Sequence, residues 1–319
     1  MQPLDEIKEK IRKALPGLDC VIGWERGWSP ASSTPLFMRG EKDVDRLVWG
    51  AFNVHNPATY LTGFKGKKVG VLLKGCDSRS VVQLLQEKLI VREDLVIFGL
   101  PCEGVVDHSK IAARVGGLDR VSAASREGAN VSLTTPDGVT LIPWEEAKAD
   151  KCLNCQFPNA LVFDHFAGDP LAPAMGRDAA AEQLGELEAM APGELFAYWA
   201  RVMERCIRCY ACRNACPMCV CRDHCIAQTR DPHWLTQEDT AKEKLMFQMI
   251  HAMHLAGRCT ECGECQRACP VGIPILALKR KTAQVVKELF DYQAGVDPQA
   301  VPPLFTFQVE EARINERGW

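Results

Sequence analysis

The chain has no apolar run near the roughly 18 residues needed to cross a bilayer. Its first residues, MQPLDEIKEKIRK, alternate charged and apolar side chains at helical spacing and lack the apolar stretch of a secretory leader. A cytoplasmic location and no transmembrane segment are therefore expected. Excess charge is missing too: a net charge of −3 leaves no broad basic footprint, so no nucleic-acid partner is expected. No GxGxxG follows a strand and no GxxxxGK[ST] occurs, which removes the standard dinucleotide and phosphate loops. No Ser-His-Asp or Cys-His nucleophile pattern stands out, so no catalytic residue is assigned.

Cysteine is what the chain has in quantity, sixteen in 319 residues. A secreted disulfide scaffold would be short and loop-rich, and this chain is neither. In a reducing compartment, clustered thiols indicate metal or redox chemistry. Cys20, alone in LDCVIGW, reads instead as a small buried hydrophobe.

The periodicity divides the chain. Leu4, Ile7, Ile11 and Leu15 predict a helix ended by Pro16-Gly17. CVIGW, Val69 to Leu73 and DLVIFGLPCEG read as strands. VDRLVWGAFNVHNPATYLTGF reads as helical in its first half. Asp77 or Ser78 is expected to cap a helix burying Val81, Val82, Leu84, Leu85 and Leu89. Two apolar strands with a helix between them predict a parallel pair in an α/β domain over 1–150, with a hairpin at Pro136-Asp137-Gly138. Residues 151–191 read as a linker carrying a CxxC, 192–288 as a mainly helical domain, and 289–319 as an arm packed on the body or a partner. The stripe Leu245, Met246, Met249, Ile250 and Met253 reads as core.

CIRCYACRNACP and CTECGECQRACP match at every cysteine and at the closing proline. Each is the C-x2-C-x2-C-x3-C-P run of bacterial two-cluster ferredoxins, whose fourth cysteine ligates the other cluster. Three closely spaced thiols wrap one iron–sulfur cube, and the fourth points away. The reading is two 4Fe–4S clusters: cluster 1 on Cys206, Cys209, Cys212 and Cys269, and cluster 2 on Cys259, Cys262, Cys265 and Cys216. Zinc uses paired CxxC units rather than duplicated triples. Arg205, Arg208, Arg213, Arg258 and Arg267 lie beside ligands and would favour reduction, with Glu204, Glu261 and Glu264 opposing.

Cys76 and Cys102 follow neighbouring strands, where α/β sheets place ligands. Cys76 also opens a helix beside Lys74 and Arg79, which favours its thiolate. With Cys152 and Cys155 they make a candidate third 4Fe–4S site. Cys219, Cys221 and Cys225, with His224, suit zinc or a further cluster. A competing arrangement joins Cys152 and Cys155 to two of these three. Lys74, Asp77, Arg79 and Glu103 lie at the same strand ends and form a weaker candidate site for a flavin or a partner's substrate.

KGCDSRSVVQLL, FGLPCEG, KCLNC, ELFAYWARVMERCIRCYACRNACPMCVC and HLAGRCTECGECQRACPVGIPI together resemble the beta-subunit family of deazaflavin-reducing hydrogenases and formate dehydrogenases. They are most similar to its bacterial members fused to a ferredoxin dicluster domain and found beside heterodisulfide-reductase-type subunits. The resemblance spans 68 to about 276. It implies an electron-transfer subunit of a cytoplasmic redox complex, with a cluster and, in some members, FAD on the beta-subunit domain. The expected function is relay of single electrons between a partner oxidoreductase and another carrier. The alternative is a flavin-carrying oxidoreductase that converts hydride to single electrons.

Overall fold

The computed structural model describes residues 2–221, 224, 225, 227, 236 and 238–307. Helix α1 (Pro3–Ala14) buries Ile7 and Ile11 and ends in a single 3-10 turn at Leu15–Gly17. Strands β1 (Cys20–Arg26) and β2 (Ser33–Met38) form an antiparallel pair in register Val21↔Met38 to Arg26↔Ser33. Two short helices, α2 (Glu41–Asp45) and α3 (Ala58–Leu61), precede β3 (Val69–Leu73), α4 (Gly75–Gln86) and β4 (Leu95–Gly99). β3 runs parallel to both β1 and β4, with Val69↔Leu95 through Leu73↔Gly99 aligned.

Side chains alternate across these strands, as the two-residue period requires. Val69, Val71, Leu73, Leu95 and Ile97 share one core with Val81 and Leu84 of α4. Leu72 and Phe98 point to the other face and join Ile7, Ile11 and Trp24 under α1. Cys20 is fully buried in the first of these cores, as a small hydrophobe should be.

Two expectations are corrected here. Residues 46–57 are not helical. Gly50 has φ +154°, and the Asn56 side chain accepts from the Ala58 amide (3.0 Å), so side-chain bonding and Pro57 replace a helical ladder. Asp77 is not the cap of α4 but sits in its first turn: Lys74 is the N-cap, and its backbone N–H donates to the Asp77 carboxylate at 3.2 Å.

Helix α5 (His108–Val115) is capped by Asp107, which accepts from the Ser109 and Lys110 amides. It packs on a three-stranded sheet of β5 (Ala123–Glu127), β6 (Asn130–Thr135) and β7 (Gly138–Pro143), with the expected hairpin between β6 and β7. Two four-residue helices follow, α6 (Trp144–Ala147) and α7 (Asp150–Leu153). The segment read as a linker then adds β8 (His165–Phe166) parallel to β4, completing a sheet of order β2-β1-β3-β4-β8.

The rest of the described chain is helical: α8 (Ala179–Glu188), α9 (Pro192–Glu204), α10 (Ala211–Asn214), α11 (Ala241–Met253), α12 (Glu264–Arg267) and α13 (Ile275–Phe290). Trp199, Val202, Met203 and Phe247 join the core that holds Val71 and Ile97, so the helical half covers the sheet face opposite α1. The methionine stripe is corrected: Met246, Met249 and Met253 are exposed. α11 instead buries Lys244, Phe247, Gln248, His251 and Ala252 toward the thiol loops. Past α13 the chain folds back onto α4, where Tyr292 donates to Gln83 (2.8 Å) and Arg79 donates to the Ala294 carbonyl (3.0 Å). The last part of the expected arm, 308–319, lies outside the described residues.

Candidate metal centres

The two cysteine runs adopt the same backbone. Arg208 and Tyr210 have φ of 49° and 60°, and their counterparts Glu261 and Gly263 have 56° and 77°. These left-handed residues lie between successive cysteines in both loops. A single helical turn, α10 or α12, holds the third cysteine of each triple and is followed by the fourth. Cys216 N–H bonds the Arg213 carbonyl and Cys269 N–H bonds that of Gln266, both at 3.2 Å. α10 and α12 pack together, which carries each fourth cysteine toward the opposite loop.

One small cavity is lined by Cys206, Cys209, Cys212 and Cys269, with Tyr210, Phe247 and Ile273 around them. Cys216 lies close enough to Cys259, Cys262 and Cys265 to act on each electrostatically. Cys269 thus lines a cavity with the first triple, and Cys216 lies near the second. The Ile273 amide donates to the Cys269 sulfur at 3.3 Å, and the Gln248 amide reaches the sulfurs of Cys206 (4.0 Å) and Cys212 (3.8 Å).

Burial pushes these thiols up: Cys212 to about 11, Cys262 to about 12, and Cys259 and Cys265 above their ordinary value. A buried thiolate needs a cation, and iron is one; loading would release protons. All sixteen cysteines are free of disulfides. Among the described residues, no three His, Cys, Asp or Glu side chains are grouped to share a single metal ion. Zinc with bonds of about 2.3 Å to tetrahedral ligands needs its sulfurs within ~4 Å of one another.

A second assembly forms at the carboxyl ends of β3 and β4. Cys76 lies in the first turn of α4, and Cys102 follows β4. The Ala149 amide bonds the Val105 carbonyl (2.8 Å), which draws α7 and its Cys152 beside Cys102. Gly104, at φ +112°, is where this approach is closest: a Cβ there would lie 3.2 Å from that of Cys152. Segment 155–161 crosses the strand ends, with the Cys102 amide on the Pro158 carbonyl (2.9 Å) and the Leu161 amide on Ser78 Oγ (2.9 Å). Cys76, Cys152 and Cys155 line one cavity, which also reaches Cys259. Cys102 is within electrostatic reach of Cys76 and Cys152.

The expected low-pKa thiolate at Cys76 is overturned. Burial pushes this thiol well up and the Asp77 carboxylate adds to it; Lys151 and Lys74 offset only part. Lys74 is engaged elsewhere, 2.8 Å from Asp77 in a buried ion pair, on the His55 carbonyl, and over the Trp24 ring. Cys102 likewise is pushed up to about 12 by burial.

Lys74, Asp77, Arg79 and Glu103 do not make a shared ligand surface. Lys74 and Asp77 satisfy each other, Arg79 is buried on the Ala294 carbonyl and over Phe157, and Glu103 is exposed and paired with Arg126. These residues do not fit a flavin.

Cys219 approaches Cys216, whose thiol is lowered by their hydrogen bond while that of Cys219 is raised. Its sulfur lies 3.3 Å from His251 Nε2. Cys219, Cys221, Cys225 and His251 line a cavity of about 510 Å³ beside the second loop, not the single-ion grouping zinc requires. His251 was hidden in the sequence inside a methionine-rich helix.

Two further residues carried no sequence signal. Lys151 donates to the Cys262 carbonyl between the strand-end thiols and the second loop. Lys279 of α13 is buried against Cys265, Cys216 and Cys259. The only hint was a lysine at core spacing after Ile275 and Leu276. The arginines singled out from sequence are otherwise engaged. Arg258 pairs with Glu87 and Arg267 with Glu264; Arg208 donates to the Thr236 and Glu238 carbonyls.

Residues 202–273 match the family model for a 4Fe-4S dicluster domain. The F420-dependent formate dehydrogenase subunit beta of Methanocaldococcus jannaschii is 32% identical over 117 residues, which is 34% of this chain and only 28% of that protein. The F420-dependent formate dehydrogenase 1 subunit beta of Methanococcus maripaludis is 25% identical over 353 aligned positions, covering 90% of this chain and 89% of the relative. A chain of the F420-reducing [NiFe] hydrogenase complex of Methanosarcina barkeri superposes with a TM-score of 0.39 at 18% identity, over 48% of this chain and 59% of that one. No helix among the described residues is long and apolar enough to cross a membrane. The chain is an iron–sulfur protein with a 4Fe-4S dicluster domain and a homologue of the beta subunits of F420-dependent formate dehydrogenases.

Proposed function

We propose that this chain is the electron-relay subunit of a larger oxidoreductase, passing single electrons between a partner of the hydrogenase, formate dehydrogenase or heterodisulfide-reductase-like kind and another carrier. The observation that carries this is the continuity of three thiol sites. The two crossed loops adjoin each other, and the cavity of the strand-end site reaches Cys259 of the second loop. When bound, each 4Fe–4S group takes up and gives back one electron at a time. Cys206, Cys209, Cys212 and Cys269 hold the first group, and Cys259, Cys262, Cys265 and Cys216 the second. Cys76, Cys102, Cys152 and Cys155 hold a third.

The protein's own part is to exclude water and fix spacing. Phe247, Ile273, Ile275 and Leu276 pack around the loops, and the backbone amide of Ile273 steadies a ligand sulfur. Cys219, Cys221 and Cys225 are held in reserve as ligands of an additional site. The functional division follows 1–150, 151–191, 192–288 and 289–319, the linker supplying two ligands of the third site.

Iron counting on anaerobically purified protein tests the reading. About twelve iron per chain is expected for three cubes, and about eight would remove the third site. Cys152→Ser should lower the count by about four; a variant that keeps all its iron rejects that ligand set. Failure to bind iron at all would overturn the relay function.

A further inference from the structure

The charges around the two loops of the dicluster domain are not equivalent. Beside the second loop, three arginines are matched by carboxylates, while the buried Arg79 donates to the Ala294 carbonyl. Arg258 pairs with Glu87 (2.5 Å), Arg267 with Glu264 (2.8 Å) and Arg280 with Glu261 (3.3 Å). Two lysines are left over. Lys279 is 1% exposed, and among the described residues no carboxylate pairs with it. Its ammonium lies 3.3 Å from His251 Nε2. Its helix α13 packs against α12, the turn that carries Cys265 of the second loop. Lys151 also reaches this loop, donating to the Cys262 carbonyl.

Among the described residues, the first loop has no such cation. Its buried neighbour is the neutral Gln248 amide, near Cys206 and Cys212. Arg205, Arg208 and Arg213 donate to the carbonyls of Gly272, Thr236 and Cys221; Arg205 is exposed and the other two are half-buried, so solvent screens them at least in part. Lys279 also acts on Cys212 of the first loop, though its helix packs on α12 of the second. Desolvation does not reverse the comparison. Cys206 and Cys212 are 7% and 6% exposed, and Cys259, Cys262 and Cys265 are 9%, 8% and 4%.

We propose that Lys279, assisted by Lys151, sets the second site (Cys259, Cys262, Cys265, Cys216) at the higher potential of the ferredoxin pair, so that electrons run downhill from the first loop inward. Adding an electron adds negative charge, and a buried uncompensated cation favours that state more strongly than a screened one. The entry end is then the first loop, where Cys209 and Ile207 reach the surface. The exit is the strand-end site, across Lys151. This rests on the relay reading above.

The test is an anaerobic redox titration of the full chain followed by electron paramagnetic resonance, with iron counted on every sample. In K279Q the higher-potential couple of the ferredoxin pair should fall by at least 59 mV, a tenfold drop in its reduced-to-oxidised ratio at fixed potential. The lower couple should move less than half as far, and K279R should leave both in place. No shift in an iron-replete K279Q, or a larger shift of the lower couple, overturns the proposal. If K279Q loses iron, K151Q gives the same reading, and an unmoved upper couple there overturns it. Wild-type protein without two clusters would defeat the relay function instead, a different result read from the iron count.

Discussion

Gly75 has no room for a side chain. A Cβ there would lie 1.9 Å from the Phe157 carbonyl oxygen and 2.6 Å from that of Asn159. The contact is backbone, so nothing flexible can give way. On the proposed ligand set, this close passage of segment 155–159 is what brings Cys155 to the cavity that Cys76 lines. In Gly75→Ala the segment is expected to lift, at a cost of about 1–3 kcal/mol for overpacking. Iron should fall by about four per chain while the ferredoxin pair keeps its resonance signal. Full iron in this variant would show that Cys155 is not a ligand. At this scale the sequence spoke clearly through cysteine and faintly through anything else. Twelve thiols announced themselves by spacing or by position after a strand. Lys151, Lys279, Gln248 and His251 did not, because a single polar residue on a helix or loop has no period. What marks them is burial without a matching charge, which only packing reveals.

Helix α4 ties the two halves of the molecule. Asn56 Nδ2 donates to Ser80 Oγ (3.0 Å), and Ser80 shares a hydrogen bond with Thr260 (2.8 Å), next to Cys259. At its far end Glu87 takes both arms of Arg258, at 2.8 and 2.5 Å, with side chains 7% and 17% exposed. Removing one partner of such a pair leaves a buried charge. Glu87→Gln should cost roughly 3 kcal/mol, read as a lower urea midpoint, whereas Glu87→Met with Arg258→Met should recover most of it. Equal losses in the single and double variants would mean the pair is not what holds the helix. Among elements, β1, β3, β4 and the β6–β7 hairpin were legible because apolar runs or a Pro-Asp-Gly turn bound them. β2 was not: Ser33–Met38 contains a proline and faces solvent on one side. Residues 46–57 mislead because their apolar spacing is helical, while Gly50, Asn53, Asn56 and Pro57 favour turns. α11 misleads in the opposite way, its methionines outward and its polar residues inward.

The whole molecule shares one core between sheet and thiol loops, yet its two halves depend on metal differently. The α1 face of the sheet, with Ile7, Trp24, Leu72 and Phe98, contains no cysteine, and the core of β5–β7 meets only Cys102 and Cys152. The helical half is built around eight thiols. α10 and α12 are four residues long, far below the length at which a helix stands alone. Without iron, these thiols have no common ligand to draw the loops together. Chelation should therefore unfold locally before it unfolds globally. Hydrogen exchange on apo protein is expected to show β1, β3 and β4 still protected, α10 and α12 exchanging freely, and α9, α11 and α13 weakened. Lys279 should contribute to the last effect, since its buried ammonium loses the anionic group that offsets its desolvation. K279M should then protect α13 in the apo protein better than the wild-type lysine does, while having no such advantage when iron is bound. Uniform loss of protection across sheet and helices would show instead that the metal sites organise the entire fold.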